Sequence, residues 1–490
     1  MITTEAEFTA RKRKSELGQF FTSEDIARFM AAMFRPGSDK RCVLLDAGAG
    51  RGSLSEAFLD RWMSGGFDFE KVQVDAFEID ESLIPDLSSA LEKYNRRRGF
   101  SVRIRNVDFI RASTDRLSGS FFAEQFPRYT HAILNPPYKK IPGDSAHRAA
   151  LKRTGLDTVN LYSAFVALSL SLLNEQGQLV AIIPRSFCNG PYYRSFRAFL
   201  LAHAAIHHIH LFESRAQAFK QDDVLQENVI ILLERGGLQG PVTVSTSTDS
   251  SFTDLISHEH AFEKVLPAED PEQVIHVPTS PEANGMELIP SICHSLNEID
   301  VEVSTGPVVD FRVRQYLRPM PGENTVPLLY PGHFSEGQLT WPLPESRKPN
   351  AIELHEDTRK WLYPKGYYCV VRRFSSKEEK RRIVASVVDP HAVDHASLLG
   401  FENHLNILHK DKQGLPELLA RGLSVYLNTT AVDEQFRQFN GHTQVNATDL
   451  KRLKYPSRSA LMELGYWARQ QDELSQALID EKFDTMKFSL

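Results

Sequence analysis

The chain has 490 residues, of which 41% are hydrophobic and 24% are charged, and its formal net charge is −6. This length exceeds what one hydrophobic core supports, so we expect two or three domains, and the composition is that of a soluble globular protein. No run reaches the ~18 apolar residues of a membrane span, and the polar N-terminus does not predict a secretory signal. The acidic balance gives no hint of nucleic-acid binding, but a local basic face would bind nucleic acid whatever the net charge.

Cysteine usage indicates a reducing compartment. The four cysteines are scattered along the chain without paired spacing. This pattern predicts neither a disulfide framework nor a zinc site, so we expect a cytoplasmic protein that holds no metal.

The first predicted elements are a helix and a glycine-rich turn that follows a strand. Ser23 is a plausible N-cap for a helix over residues 24–34. Residues 43–46 are predicted to form a buried strand, and the loop Ala47-Gly48-Ala49-Gly50-Arg51-Gly52 leads from it into a helix. The dinucleotide fingerprint would need glycine at position 53, which is Ser53, so the loop favours a smaller nucleoside-type cofactor over NAD.

Polar side chains follow the next three predicted strands. Glu78 ends the strand over residues 72–79, and Asp108 follows the strand over 102–106. The motif Asn135-Pro136-Pro137-Tyr138 follows the short apolar run 131–134. Each acid alone is more often a surface residue or a helix cap. Because the carboxyl ends of parallel strands share one edge of a sheet, the joint pattern predicts one ligand-binding cleft.

The chemistry of the fourth strand end suits an amine on a planar ring. Two consecutive prolines turn the chain out of the sheet. The Asn135 side chain and the Pro136 carbonyl then accept hydrogen bonds from an amino group, and Tyr138 stacks on a flat ring. The motif alone is equally consistent with an ordinary proline-rich turn. The acidic strand ends favour the functional interpretation.

Strands and helices alternate as far as residue 233, which predicts an α/β fold with a parallel sheet and helices on both faces. The closing strands over residues 206–212 and 228–233 leave no room for a helical crossover, so the final one is predicted to be antiparallel. We divide the chain into a catalytic domain at 1–237, a connector at 238–300, a mixed α+β domain at 301–457 and a C-terminal helix at 458–490.

The order of these motifs, over roughly residues 15–235, resembles the gamma-class N6-adenine DNA methyltransferases of type II restriction-modification systems. The resemblance implies a TaqI-like catalytic domain with a Rossmann-like sheet, S-adenosyl-L-methionine as cofactor, and transfer of its methyl group to a flipped-out adenine in a short duplex DNA site. It also implies a cognate restriction endonuclease that acts separately, and a place near the nucleoid of a bacterial or archaeal cell.

The resemblance also assigns residues to roles. The segment Gln19-Phe20-Phe21-Thr22 looks like the N-terminal motif of that class, which contacts the amino-acid end of the cofactor. The residues that the resemblance places against the cofactor are Thr22, Asp46, Gly48, Gly50, Glu78, Ile79, Asp108 and Phe109. It assigns catalysis to Asn135, Pro136 and Tyr138, and packing on the target base to Phe219.

The C-terminal half resembles the recognition domains of the PstI and BsuBI branch of this class, through residues 372–379 and 403–406. Such domains read the target site. Given a DNA substrate, the predicted phosphate contacts are Arg372, Arg373 and Lys377 in the basic stretch, and Lys451 after a predicted helix start. Taken alone, the basic stretch is equally a solvated turn, since Glu378 and Glu379 lie within it.

Three other functions are open to the sequence. RNA and protein-glutamine methyltransferases share the Asn-Pro-Pro-Tyr motif, but they generally lack a downstream domain of ~200 residues. A bifunctional restriction enzyme needs a nuclease domain, and too little chain precedes the loop at Ala47 to supply one. A DNA-binding specificity protein with an inactive core does not fit the intact acidic and amide residues.

Overall fold

The computed structural model describes residues 22–119, 127–213, 227–268, 270–280, 291–335, 337–376, 378–393 and 396–486. The chain divides into two compact units, Met1–Pro281 and Glu282–Leu490. Phe219 and Lys377 lie outside the described residues, as does the segment from Gln19 to Phe21.

Unit 1 alternates strands and helices along most of its length. Its strands are β1 (Arg41–Ala47), β2 (Lys71–Phe77), β3 (Phe100–Arg105), β4 (Tyr129–Leu134), β5 (Leu173–Pro184), β6 (Ala204–Phe212), β7 (Asn228–Arg235), β8 (Val242–Ser247) and β9 (Ile256–His260). Its helices are α1 (Glu24–Met33), α2 (Ser53–Met63), α3 (Ile84–Glu92), α4 (Phe109–Leu117), α5 (Ala146–Arg153), α6 (Leu161–Leu172), α7 (Arg194–His203) and α8 (Phe262–Val265). As predicted, Ser23 caps α1: its hydroxyl accepts a hydrogen bond from the Ile26 amide.

The strands form one nine-stranded sheet in the order β3-β2-β1-β4-β5-β7-β6-β8-β9. Strands β1 to β5 pair in parallel. Strand β7 runs antiparallel to both β5 and β6. The predicted α/β fold with an antiparallel closing strand is therefore confirmed.

Both faces of the sheet are covered, which explains why central strands such as β1 and β4 are buried along nearly their whole length. Val43 and Leu45 of β1 belong to the core on the face that α4, α6 and α7 cover. Cys42 and Leu44 belong to the core on the other face, against α1, α2 and α3. The two-residue period of a strand thus places alternate β1 side chains in two separate cores.

The sheet continues beyond the strand that we expected to close it. Residues 242–247 and 256–260, which we predicted to lie in a connector, form β8 and β9, and β8 pairs in parallel with β6. Five of the six β8 side chains are buried. The connector was predicted from Gly236, Gly237 and the prolines from Pro267 onward, and these residues lie around the two strands and not within them.

Unit 2 is a mixed α+β assembly, as predicted for residues 301–457. Its strands are β10 (Glu302–Thr305), β11 (Leu317–Arg318), β12 (Thr325–Leu329), β13 (Phe334–Ser335), β14 (Gln338–Leu339), β15 (Ala351–Glu353), β16 (Leu362–Pro364), β17 (Tyr368–Arg372), β18 (Ala385–Val388), β19 (Leu398–Phe401) and β20 (Leu405–His409). They form sheets in the orders β10-β20-β17-β18 and β11-β15-β12-β19-β16, and a β13-β14 hairpin. The helices are α9 (Glu356–Arg359), α10 (Glu417–Leu427), α11 (Thr430–Phe439), α12 (Ala447–Arg452), α13 (Arg458–Arg469) and α14 (Gln476–Met486).

The C-terminus differs from the single helix predicted over residues 458–490. It forms two helices, α13 and α14, with a break between Arg469 and Gln476. The Asp480 carboxylate accepts hydrogen bonds from the backbone amide and the hydroxyl of Thr430, both at 2.7 Å. These tertiary contacts hold α14 against the start of α11 and override a helical pattern that was otherwise continuous. Within the described residues, no helix is long and apolar enough to cross a membrane.

Candidate active site

A cavity of about 340 Å³ lies at the carboxyl edge of the parallel strands in unit 1. Its volume is in the range of small-molecule sites. The residues that line it come from the ends of β1 to β4 and from α4 to α6: Gly48, Gly50, Phe77, Glu78, Ile79, Val107, Asp108, Phe109, Ile110, Asn135, Pro137, Lys139, Lys140, Ile141, Pro142, His147, Leu161 and Phe165. The strand-end residues predicted to share one cleft are therefore brought together.

The glycine loop after β1 is tied to the end of β2. Gly48 and Gly50 have φ angles of 79° and 57°, a left-handed conformation that favours glycine. The Glu78 carboxylate accepts hydrogen bonds from the Gly50 amide (2.8 Å) and the Asp80 amide (2.7 Å). Burial raises the pKa of Glu78. The carboxylate is held rigidly at the cavity wall, and its remaining lone pairs are acceptors for hydroxyl groups.

Asp46 does not line the cavity, although the resemblance placed it against the cofactor. Its side chain is fully buried beneath the loop, where it accepts a hydrogen bond from the Ser55 hydroxyl at 2.6 Å. Burial raises the pKa of Asp46 to about 7. Asp46 thus joins the end of β1 to the first turn of α2. It affects the cavity indirectly, because it helps to hold the glycine loop that lines the cavity.

Asp108 has a partner that the sequence did not reveal. Asp108 caps α4, with Oδ1 accepting from the Arg111 amide at 3.1 Å, while His147 Nε2 of α5 lies 2.6 Å from Oδ2. Burial acts to raise the pKa of Asp108, but the hydrogen bonds from His147 and the Arg111 amide outweigh it, and the pKa lies below its usual range. The hydrogen bond to Asp108 raises the pKa of His147. Both directions favour an ionised carboxylate beside an imidazolium.

Apolar side chains form the remaining walls. The Ile79 side chain is 54% exposed at the end of β2. The Phe109 and Phe165 rings lie 5.0 Å apart between centroids, and a Cβ atom on Gly48 would lie 3.6 Å from the Phe165 ring. A flat ligand entering here meets apolar surfaces beside the carboxylates of Glu78 and Asp108.

The Asn135 amide is oriented by two neighbours. Its Nδ2 donates to Thr22 Oγ1 at 3.0 Å, and its Oδ1 lies 3.1 Å from the Tyr138 hydroxyl. The Tyr138 hydroxyl also lies 3.0 Å from the Ile182 carbonyl. This network directs the amide nitrogen towards Thr22, so the amide oxygen is the acceptor that remains for a ligand.

The other residues assigned to catalysis and to the cofactor lie beside the cavity. Pro136 is buried and does not line it. Tyr138 is half-buried and packs edge-on against the Tyr162 ring at 6.2 Å, and burial raises the pKa of its hydroxyl. Thr22 reaches the cavity wall only through Asn135.

The basic residues assigned to DNA lie in unit 2. Arg372 forms an ion pair with Glu379, one of the two acidic residues within the basic stretch. Arg373 donates to the Asn403 carbonyl at 3.1 Å and to the Gln444 side chain at 3.3 Å. Lys451 is exposed on α12. Arg373 is therefore held between two segments with amide side chains, and Lys451 faces solvent.

Several cavity residues were absent from our sequence prediction. His147, Lys139 and Lys140 lie in the segment after the Asn-Pro-Pro-Tyr motif, and Phe165 lies in α6. Ser145, which caps α5, is a signal that could have located the helix. No sequence feature indicates that this helix brings His147 to Asp108.

The chain is similar to known methyltransferases over nearly its whole length. The family described as Eco57I restriction-modification methylase matches residues 62–219. The type II methyltransferase M.BsuBI of Bacillus subtilis is 51% identical over 97% of this chain and 95% of its own, and M.PstI of Providencia stuartii is 41% identical over 96% and 92%. The DrdV chain, solved as a DNA complex by electron cryo-microscopy, shares the fold with a TM-score of 0.51 and 13% identity, over 95% of this chain and 58% of that one. The chain therefore belongs to the type II methyltransferases of restriction-modification systems.

Proposed function

We propose that the protein is a site-specific DNA methyltransferase that transfers a methyl group from S-adenosyl-L-methionine to the N6 amine of an adenine in a short duplex site. The orientation of Asn135 carries the proposal. An amide oxygen held at a cavity wall is a fixed acceptor for an amino group, and a hydrogen-bonded nitrogen and neighbouring tyrosine keep the amide from turning. In the cell, this activity protects host DNA from a separate cognate endonuclease.

The cavity residues fit the cofactor. S-adenosyl-L-methionine supplies an electrophilic methyl group on a sulfonium. Glu78 would accept the ribose hydroxyls and Asp108 the adenine amino group, since both are carboxylates fixed by backbone hydrogen bonds. Ile79 and Phe165 offer apolar surfaces for the ring faces. Gly48 and Gly50 line the cavity in a left-handed conformation, so a residue with a Cβ atom would strain the loop that forms this part of the wall.

The residues of the motif align the target amine. An adenine amine is a poor nucleophile because its lone pair is delocalised into the ring. When Asn135 Oδ1 and the Pro136 carbonyl accept its two N–H bonds, the nitrogen becomes more tetrahedral and its lone pair points away from the acceptors. Alignment of this kind contributes several kcal/mol to a transfer reaction.

The target base has to leave the duplex to reach such a site, at a cost of a few kcal/mol. We propose that Tyr138 and Phe219 recover part of this cost by packing on the extruded base. Lys139 and Lys140 are exposed and line the cavity directly after the motif, which supports a polyanionic substrate. We assign target recognition to unit 2, with Arg372, Arg373, Lys377 and Lys451 contacting phosphates.

The test is to express this chain alone in a host without DNA methylation and to sequence the DNA by a single-molecule method that detects modified bases. The expected result is N6-methyladenine at one recurring short motif. A methylated cytosine would refute the adenine assignment while leaving the family unchanged. If the purified protein binds S-adenosyl-L-methionine but leaves DNA unmodified, then an RNA or protein substrate would replace DNA. Cleavage of the DNA would indicate a bifunctional restriction enzyme.

A further inference from the structure

His147 is a cavity residue with no part in the proposed transfer. It lies in α5, and its Nε2 atom is 2.6 Å from Asp108 Oδ2. The two side chains are only partly shielded, with 33% and 21% of their surfaces exposed. Both line the same cavity. The imidazole therefore lies at the wall of the cavity and not in the hydrophobic core.

The hydrogen bond defines the chemical state of Asp108. An ionised carboxylate only accepts hydrogen bonds, whereas a protonated one also donates. His147 Nε2 lies within hydrogen-bonding distance of Oδ2, the pKa of Asp108 is lowered and that of His147 is raised, so the shared proton resides on the imidazole and His147 is the donor. The second oxygen, Oδ1, accepts from the Arg111 amide. The plane of the carboxylate is thus fixed from two sides.

A fixed acceptor at this position distinguishes between purines. A 6-amino group donates to an ionised carboxylate, whereas a 6-oxo group places an oxygen against it and is repelled. If the carboxyl group of Asp108 became protonated, it would donate to a 6-oxo group, and the distinction would weaken. Sites built to bind a donor reject the analogue that lacks it by large factors.

We propose that His147 is a positioning residue that keeps Asp108 an obligate acceptor, so that the cofactor pocket selects a 6-amino purine over a 6-oxo purine. The proposal rests on the proposed function, because it takes the cavity as the site of the cofactor's nucleoside. It assigns the selection to a pair of side chains from two helices, α4 and α5, and not to Asp108 alone.

The position of α5 does not depend on this contact alone. Ser145 caps the helix, with its hydroxyl accepting from the Arg148 amide. Arg148 also pairs with Asp157 at 2.7 Å. Ala150 and Leu151 are buried. Since these contacts anchor α5 independently, the contact between His147 and Asp108 is not needed to hold the helix in place.

The experiment measures binding without turnover. S-adenosyl-L-homocysteine and S-inosyl-L-homocysteine are titrated calorimetrically into the full-length protein; the second ligand has a 6-oxo group in place of the 6-amino group and a hydrogen on N1. In His147→Leu, we expect the ratio of the two dissociation constants to fall at least about tenfold, the effect of one charge-assisted hydrogen bond. His147→Gln keeps an N–H donor of similar reach and should keep the ratio within about threefold of the original. Arg148→Leu is the matched control: it removes a different polar contact of α5, the ion pair with Asp157, and should leave the ratio unchanged.

The outcomes are distinguishable. An unchanged ratio in His147→Leu would overturn the assignment of His147, while the proposed function would stand. An equal fall in His147→Leu and Arg148→Leu would show that the helix position matters and not the imidazole, which also overturns it. If the unaltered protein does not bind S-adenosyl-L-homocysteine, both the cofactor assignment and this inference fail. Thermal unfolding identifies a misfolded variant, in which case His147→Asn, too short to reach Asp108, takes the place of His147→Leu with the same expectation.

Discussion

Thr22 offers the most selective perturbation of the proposed transfer. Thr22 Oγ1 accepts the hydrogen bond from Asn135 Nδ2, and this contact keeps the amide oxygen towards the cavity. Thr22→Val has nearly the same shape but no acceptor. Without it, the Asn135 amide loses a hydrogen bond that fixes its orientation, and a turned amide presents N–H groups to the N–H groups of the target amine. Thr22→Ser keeps the hydroxyl and is the matched control.

The magnitude follows from the number of hydrogen bonds lost. Thr22→Val removes one neutral hydrogen bond that holds the reactive orientation, worth about 1 kcal/mol. This corresponds to a fall of roughly fivefold in the rate of methyl transfer. Asn135→Ala removes the acceptor itself and sets the upper limit, by analogy with the loss of one preorganised hydrogen-bonding group in other enzymes, at roughly 10²–10³-fold. Tyr138 keeps its hydrogen bond to the Ile182 carbonyl in either variant, so we expect little change in folding.

Single-turnover methyl transfer at saturating cofactor separates this effect from binding. Radiolabelled S-adenosyl-L-methionine and a duplex containing the recognised site supply the rate, and calorimetry supplies the cofactor affinity. We expect the rate of methyl transfer to be highest in the unaltered protein and to decrease from Thr22→Ser to Thr22→Val to Asn135→Ala. If Thr22→Val transfers methyl groups as fast as Thr22→Ser, the amide does not need this anchor and the reasoning is wrong. If Asn135→Ala loses cofactor affinity and rate to the same extent, its assignment as an acceptor of the target amine fails.

Three further predictions concern stability and DNA binding. In Gly422→Ala, the new Cβ atom would lie 1.8 Å from a backbone oxygen of α13, so urea unfolding should show a free energy of unfolding that is lower by about 1–3 kcal/mol. In the control Gly322→Ala, the new Cβ atom has no neighbour within 4 Å, and the free energy of unfolding should change by less than about 0.5 kcal/mol. Burial lowers the pKa of His210 from 6.5 to about 3, so between these pH values the unfolded chain binds a proton that the folded chain does not. The free energy of unfolding should therefore fall as the pH drops below 6.5. Equal slopes of this free energy against pH in the unaltered protein and in His210→Gln would contradict the prediction. Lys451→Ala should weaken binding to all duplexes alike and reduce the slope of log affinity against log salt by about 1, and a loss confined to one sequence would instead indicate base contact.

The carboxyl edge of the sheet was predictable because it depends on local signals that repeat. Each strand ends where an apolar run meets a polar residue, and parallel strands bring those ends to one edge. Glu78, Asp108 and Asn135 were found in this way, and the structure places all three on one cavity. Asp46 was placed correctly along the chain but not in space. Whether the side chain of a strand's last residues faces the ligand or the next helix depends on a single step in the strand period.

The features that sequence reasoning missed depend on contacts between distant segments. Strand β8 has a burial pattern that its pairing with β6 produces, and the surrounding glycines and prolines obscured it. The break between α13 and α14 follows from the hydrogen bonds of Asp480 to Thr430, which lie 50 residues apart. The contact of His147 with Asp108 spans 39 residues and two helices. In each case the local pattern is neutral, and tertiary contacts decide the outcome.

The partners of the cavity's titratable groups bear on how the proton of the target amine is handled. Among the described residues that line the cavity, Glu78 accepts two backbone amides, and Asp108 and His147 hydrogen-bond to each other. Asn135 offers an oxygen that holds an N–H bond without removing its proton. We infer that methyl transfer comes first and that the amine becomes a strong acid only after it carries the new methyl group, so its proton then passes to water. Alignment by such acceptors suits this order, because deprotonating a neutral amine in advance would cost more than the alignment supplies.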